Sequence, residues 1–175
     1  MQVRRILLLL CLFAISCAEV INFKDCGSVQ GKVHSVEVIP CRHEPCFIRT
    51  GDDYTIQVSF TSLVQSQTSK AKAYAMLSFG PRRIQIPEPD GCKSGIKCPI
   101  EVGNPLLYKA TLNVPSIFPY AKGEVKWRLR DDSKKNLFCI EFPVEINSRI
   151  NSRIRKAGLK SEDHPKGSLV CSVEP

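Results

Sequence analysis

FCIEFPVEI, residues 138–146, decides the fold. Phe138, Ile140, Phe142, Val144 and Ile146 are apolar at every second position. A period of two belongs to a β-strand with one buried face; a helix would space its apolar residues by three and four. The same rhythm recurs to either side. In VKWRLR, residues 125–130, Val125, Trp127 and Leu129 share one face, and three cations share the other. Tyr54, Ile56, Val58 and Phe60 alternate cleanly, and Tyr108, Ala110, Leu112 and Val114 do so over a shorter run. Further strands are expected near Val33–Ile39 and Ala71–Phe79. Turn residues separate these runs, among them Gly51-Asp52-Asp53 and Asp131-Asp132-Ser133. With no amphipathic helix in the body, the pattern predicts an all-β, antiparallel sandwich of about seven strands.

The ends of the chain read differently. Residues 1–18 hold Arg4 and Arg5, an apolar run from Ile6 to Ile15, and then Ser16-Cys17-Ala18. That run is too short for a stable membrane anchor, and the small residues fit a signal-peptidase site, so 1–18 is expected to be a signal peptide. Residues 19–148 form the folding body. Residues 149–175 are basic and polar without a periodic core pattern, and are expected to be disordered.

Secretion governs the cysteines. Of nine, Cys11 and Cys17 leave with the signal and Cys171 stands alone in the tail. The body keeps Cys26, Cys41, Cys46, Cys92, Cys98 and Cys139, an even set that reads as disulfides in an oxidising compartment. Neither the Cys-x-x-Cys pairs of a zinc site nor those of a redox site occur. Sequence alone leaves the connectivity open. Locality favours Cys41–Cys46 and Cys92–Cys98, which leaves Cys26–Cys139 to close nearly the whole domain.

The net charge of +8 is held mostly by the two terminal segments. The body is only mildly basic and shows no aromatic-interleaved basic patch, so nothing points to nucleic acid. Catalytic signatures are absent as well: there is neither a Gly-x-Ser-x-Gly nor a His-Glu-x-x-His motif. His34 and His43 read as surface residues, and Glu88 and Asp90 as turn residues flanked by prolines. The expectation is a non-enzymatic binder with neither metal nor cofactor. Periodicity cannot tell a filled sandwich from a hollow one.

Longer motifs carry a resemblance. FKDCGSV at 23–29, the Pro-Cys pairs at 40–46, FTS at 60–62, IPEPDGCKSGIKCPI at 86–100, RDD before LFC, and the closing PVEI are similar to the ML lipid-recognition domain family. Within it the motifs resemble the soluble sterol carriers of the Niemann–Pick type C group. The match runs from about Val20 to Asn147 and aligns all six body cysteines. It implies an immunoglobulin-like sandwich, the three bridges favoured by locality, and a lipid cavity between the sheets, with the Cys92–Cys98 loop near its mouth. It also implies a monomeric carrier of cholesterol or a related sterol, secreted or in the lysosomal lumen, that delivers its ligand to membranes or to a membrane sterol transporter.

Carried over position by position, the resemblance puts Tyr54 and Ile56, Leu112 and Val114, Phe118 and Pro119, and Trp127 in the pocket wall. Ile84 stands where the family often has Phe, Phe118 where it often has Tyr, and Ile140 where it has Trp. Asp90 and Lys93 match positions implicated in hand-off; a third such position, usually Lys, is Thr50. Arg82 and Arg83 fall where the family usually has an apolar lip. At least one of them is expected at the rim, because burying two adjacent cations costs too much; a basic rim would favour anionic membranes, the alternative being that both side chains are solvated and play no part. The chain has no Asn-x-Ser/Thr sequon, since Asn147 and Asn151 precede Ser-Arg, which weights simple secretion over lysosomal delivery. The alternatives are a carrier of fatty acid or another small lipid in immune or chemosensory signalling, and a protein-binding module with a filled core.

Overall fold

The computed structural model describes residues 20–116 and 118–147. The expected signal peptide and the tail with Cys171 lie outside the described residues. Nine strands occur among the described residues: β1 Lys24–Asp25, β2 Gly31–Ile39, β3 Cys46–Arg49, β4 Asp53–Ser62, β5 Lys70–Leu77, β6 Gly80–Ile84, β7 Pro105–Asn113, β8 Ala121–Arg130 and β9 Asn136–Asn147. They build two sheets. The larger runs β1-β9-β8-β5-β6, with β3 also paired to β9, and the smaller runs β2-β4-β7.

The strand count exceeds the expected seven because three strands lack an alternating signal. β1 has two residues, and β3 is a short run inside a Cys/Pro loop. β6, GPRRI, contains a glycine, a proline and two arginines. Pro81 is tolerated because β6 is an edge strand, where one side needs no backbone donor. β5 stops at Leu77, and Ser78 and Phe79 make the turn into β6. The pairing is antiparallel throughout except for β3, which runs parallel to β9 with Cys46 opposite Val144.

Each long strand sends alternate side chains between the sheets. Tyr54, Ile56, Val58 and Phe60 on β4 are buried, as are Phe138, Ile140, Phe142, Val144 and Ile146 on β9. One end of the sandwich is solid. There Phe138 meets Phe60 edge-on at 5.2 Å between ring centroids and Tyr108 at 5.6 Å. Ile100, Leu129 and Leu137 complete this packing, all fully buried.

The disulfides join Cys26–Cys139, Cys41–Cys46 and Cys92–Cys98. Cys41–Cys46 ties the end of β2 in the small sheet to β3 in the large one. It therefore holds the sheets together at the edge where β2 and β9 also approach. At the opposite edge, β6 and β7 are free edge strands with no pairing between them. Cys92–Cys98 encloses a loop whose 3-10 turn, Gly91–Lys93, is capped by the Asp90 carboxylate accepting from Cys92 N–H at 3.0 Å. That loop lies on the solid end. A Cβ on Gly91 would fall 2.2 Å from Ser69 Oγ and 3.0 Å from Leu129 Cδ1, so any larger residue would have to displace the Ser69 side chain.

The outer face of the large sheet carries an avoidable cost. Lys70 faces Arg130 and Lys72 faces Arg128 across β5 and β8, and no ion pair among the described residues relieves them. Directly opposed like charges destabilise a sheet. Lys72→Glu is expected to raise stability by about 0.5–1 kcal/mol, read as a higher urea midpoint with an unchanged slope. A lower midpoint would show that Lys72 has a favourable partner.

Candidate functional site

The inward positions of each strand pass from solid core to open space. On β4 the packing of Phe60 and Val58 gives way to Ile56 and Tyr54, which border a cavity; on β8 Leu129 gives way to Trp127 and Val125, and on β9 Phe142, Val144 and Ile146 border it. The cavity measures about 1000 Å3, at the upper end of the ~300–1,000 Å3 usual for ligand pockets. Its position follows from side-chain size. β5 contributes only Ala71, Ala73 and Ala75 to its buried face before Leu77, so the large sheet brings little volume to meet the small one.

The mouth lies along the unpaired edge. One lip is β6 with residues 85–87; the other is the end of β7 with Val114, Pro115 and Phe118. The second lip is held by backbone: Gly51 N–H donates to Val114 O at 2.6 Å, Val114 N–H to Asp52 O at 3.1 Å, and Phe118 N–H to Pro115 O at 3.1 Å. Tyr54 keeps its ring on the wall because its hydroxyl is anchored in β3, accepting from Arg49 N–H at 2.8 Å and donating to Phe47 O at 3.5 Å. Trp127 closes the cavity towards the solid end, with Tyr108 behind it at 6.3 Å between ring centroids. Burial pushes the Tyr108 phenol up to about 12, so it is neutral in any ordinary buffer. The Trp127 indole N–H opposes that shift, although among the described residues neither polar atom has a partner in hydrogen-bond geometry.

Seven of the nine expected wall positions border the cavity: Tyr54, Ile56, Ile84, Leu112, Val114, Phe118 and Trp127. Pro119 and Ile140 do not. Pro119 is exposed beyond the lip. Ile140 is fully buried opposite Trp127 in the sheet register, one step into the solid half. Arg82 and Arg83 are both exposed and border the cavity at its mouth. Asp90 and Lys93 lie on the solid end, in the disulfide loop. The implied location of that loop near the mouth is therefore corrected: residues 88–100 border no part of the cavity, because Asp90 bridges to Lys70 at the far end of β5. Thr50 is fully buried and presents nothing to a partner. Sequence reasoning missed Ala75 and Phe142, both on the wall. The triple alanine at period two in KAKAYAML was the available signal for Ala75; Phe142 looked like any other core residue.

The wall is mostly apolar; among the described residues that line it, Arg82 and Arg83 are the charged ones. Among the described residues no group of three or more His, Cys, Asp or Glu could hold a metal ion. His34 is exposed, its Nε2 2.8 Å from Thr61 Oγ1. The arrangement suits holding an apolar molecule rather than reacting with one.

Comparison with known proteins agrees in fold and extent. Residues 20–146 match the ML domain. The chain is 49% identical over 138 residues to NPC intracellular cholesterol transporter 2 of Danio rerio, covering 79% of this chain and 93% of that protein. It is 46% identical over 142 residues to the Mus musculus protein of the same name, covering 81% and 95%. In structure it is similar to a Niemann-Pick type C2 protein from Japanese carpenter ant, with a TM-score of 0.67, 30% identity, and 73% of this chain matched to 100% of that one. The chain belongs to the ML-domain family, a family of non-enzymatic carriers, and within it to the Niemann-Pick type C2 type.

Proposed function

We propose that this protein is a monomeric sterol carrier that takes up cholesterol or a close relative between its sheets, apolar tail inward, and releases it to membranes or to a membrane sterol transporter. The observation that carries the reading is the apolar cavity of about 1000 Å3, open along one edge, in a chain 49% identical to a protein named as a cholesterol transporter. Burying a few hundred Å2 of apolar ligand surface at about 25 cal/mol per Å2 supplies several kcal/mol. The hollow half argues against a filled-core protein-binding module. The disulfides suit a secreted or lysosomal setting, and the lack of a sequon favours secretion. Lys93, exposed on the solid end, and the neighbouring Asp90 are candidate contacts for the receiving transporter.

The mouth supports a preference for anionic membranes. Each cation near such a surface contributes about 1 kcal/mol, and screening over about 8 Å at physiological salt weakens this. Sterol transfer from the protein into neutral and anionic vesicles, each at low and high salt, tests the reading. Transfer should be fastest into anionic vesicles at low salt and should lose that advantage as salt rises or in the Arg82→Ala/Arg83→Ala variant. Equal rates in all four conditions would contradict the membrane step. Failure to bind sterol at all would contradict the carrier.

A further inference from the structure

Strand β6 puts a cation where a hollow apolar sandwich would be expected to present an apolar side chain. Arg82 pairs with Ala75 and Ile84 with Ala73. Both alanines are buried inward-facing residues, 3% and 0% exposed, so Arg82 and Ile84 belong to the inner face and Arg83, opposite Tyr74, to the outer one. Arg82, Arg83 and Gln85 all border the cavity, but of the two cations only Arg82 is on the inner face by this register. Among the described residues no acidic side chain borders it, and neither arginine forms an ion pair. The Arg82 guanidinium lies over the Phe79 ring at 5.6 Å from its centroid. Stacking on a ring uses the face of a guanidinium and leaves its N–H edges for an acceptor.

From this register and the missing counter-charge we infer that the cavity is built for an amphipathic lipid whose polar end is an oxyanion, a carboxylate or a sulfate, held at the mouth by Arg82. The inference rests on the reading of the cavity as a lipid site and adds the chemistry of the ligand's outer end. The apolar body of such a lipid fills the space between Ile56, Trp127 and Phe142, and its charged head stops at the lip, where guanidinium and anion form charge-assisted hydrogen bonds. A neutral alcohol in the same pose leaves the cation with water alone. Arg83, on the outer face, remains available to the membrane.

Two matched ligand pairs test this, each differing only in charge: cholesteryl hemisuccinate against its methyl ester, and oleate against methyl oleate. Binding is measured on the full chain, in buffer without vesicles so that no membrane headgroup contributes, at low and high salt. In the wild type the anion is expected to bind roughly twofold to fivefold tighter than its ester at low salt, the size of a partly exposed ion pair, with the ratio shrinking as salt rises. Arg82→Gln should bring the ratio close to one. Lys72→Gln, the same charge change on the outer face of β5, should keep it, which excludes an effect of net charge. A ratio near one in the wild type for both pairs, or a preference that survives Arg82→Gln, overturns the inference. Sterols bound without regard to charge would retain the carrier and remove the anion site. An Arg82-dependent preference for oleate without sterol binding would do the reverse. Binding of neither pair would remove both.

Discussion

Replacing Cys26 and Cys139 together by serine is expected to cost the domain about 4–5 kcal/mol, which should leave a marginally stable protein partly unfolded at 37 °C. The bridge spans 113 residues, from the strand β1 at the start of the domain to β9 near its end. In the chain-entropy model, the longer the closed loop, the more freedom the link removes from the unfolded chain. The native state gains nothing to offset the loss, because Cys139 is 1% exposed and serine would bury a hydroxyl there. Local backbone bonds, Cys26 N–H to Cys139 O and Cys139 N–H to Ser28 Oγ, each 2.9 Å, should survive at first but are too few to compensate. Urea unfolding followed by fluorescence reads this directly, since Trp127 is the sole tryptophan and is 2% exposed. Removing the short Cys41–Cys46 loop should cost less. A loss below about 1 kcal/mol for the long bridge would mean that the unfolded chain is already constrained.

Val114→Trp should reduce sterol affinity by about tenfold or more while the fold persists. Val114 is half-buried on the lip, and its backbone, not its side chain, holds the lip to residues 51 and 52. The side chain faces the cavity, so an indole has room to enter without displacing packed core. It would occupy space that the ligand needs. A ligand left with about 60 Å2 of apolar surface in water loses about 1.5 kcal/mol at 25 cal/mol per Å2, close to tenfold in affinity. Phe118→Ala on the same lip should weaken binding less, because it removes contact without blocking the site. A folded Val114→Trp protein with undiminished affinity would mean that ligand does not enter here.

The sheets were legible because one-sided burial writes a period of two into the chain. Strands β4, β8 and β9 were found from alternation alone. The disulfide pairing followed locality, since five- and six-residue separations close readily. What stayed hidden was whatever a side chain's identity does not encode. Ile56 and Val58 look alike in sequence, yet one borders a cavity and the other packs solid; the difference arises from the alanines of β5 on the facing sheet. β6 was missed because its proline and arginines mimic a turn, and with it the register that sends Arg82 inward. The disulfide loop was misplaced for a related reason. Ile86 and Pro87 do border the cavity, but the chain then continues past the start of β5, from Ala73 opposite Ile84 to Lys70 opposite Asp90, and so leaves the cavity.

The central claim is that the space between the sheets holds lipid. Native mass spectrometry of the purified protein, followed by extraction and identification of whatever co-purifies, tests it most directly. One sterol-class lipid per chain is expected, with lower occupancy in the Val114→Trp protein. A wild-type chain of bare polypeptide mass that also fails to take up added sterol would contradict it.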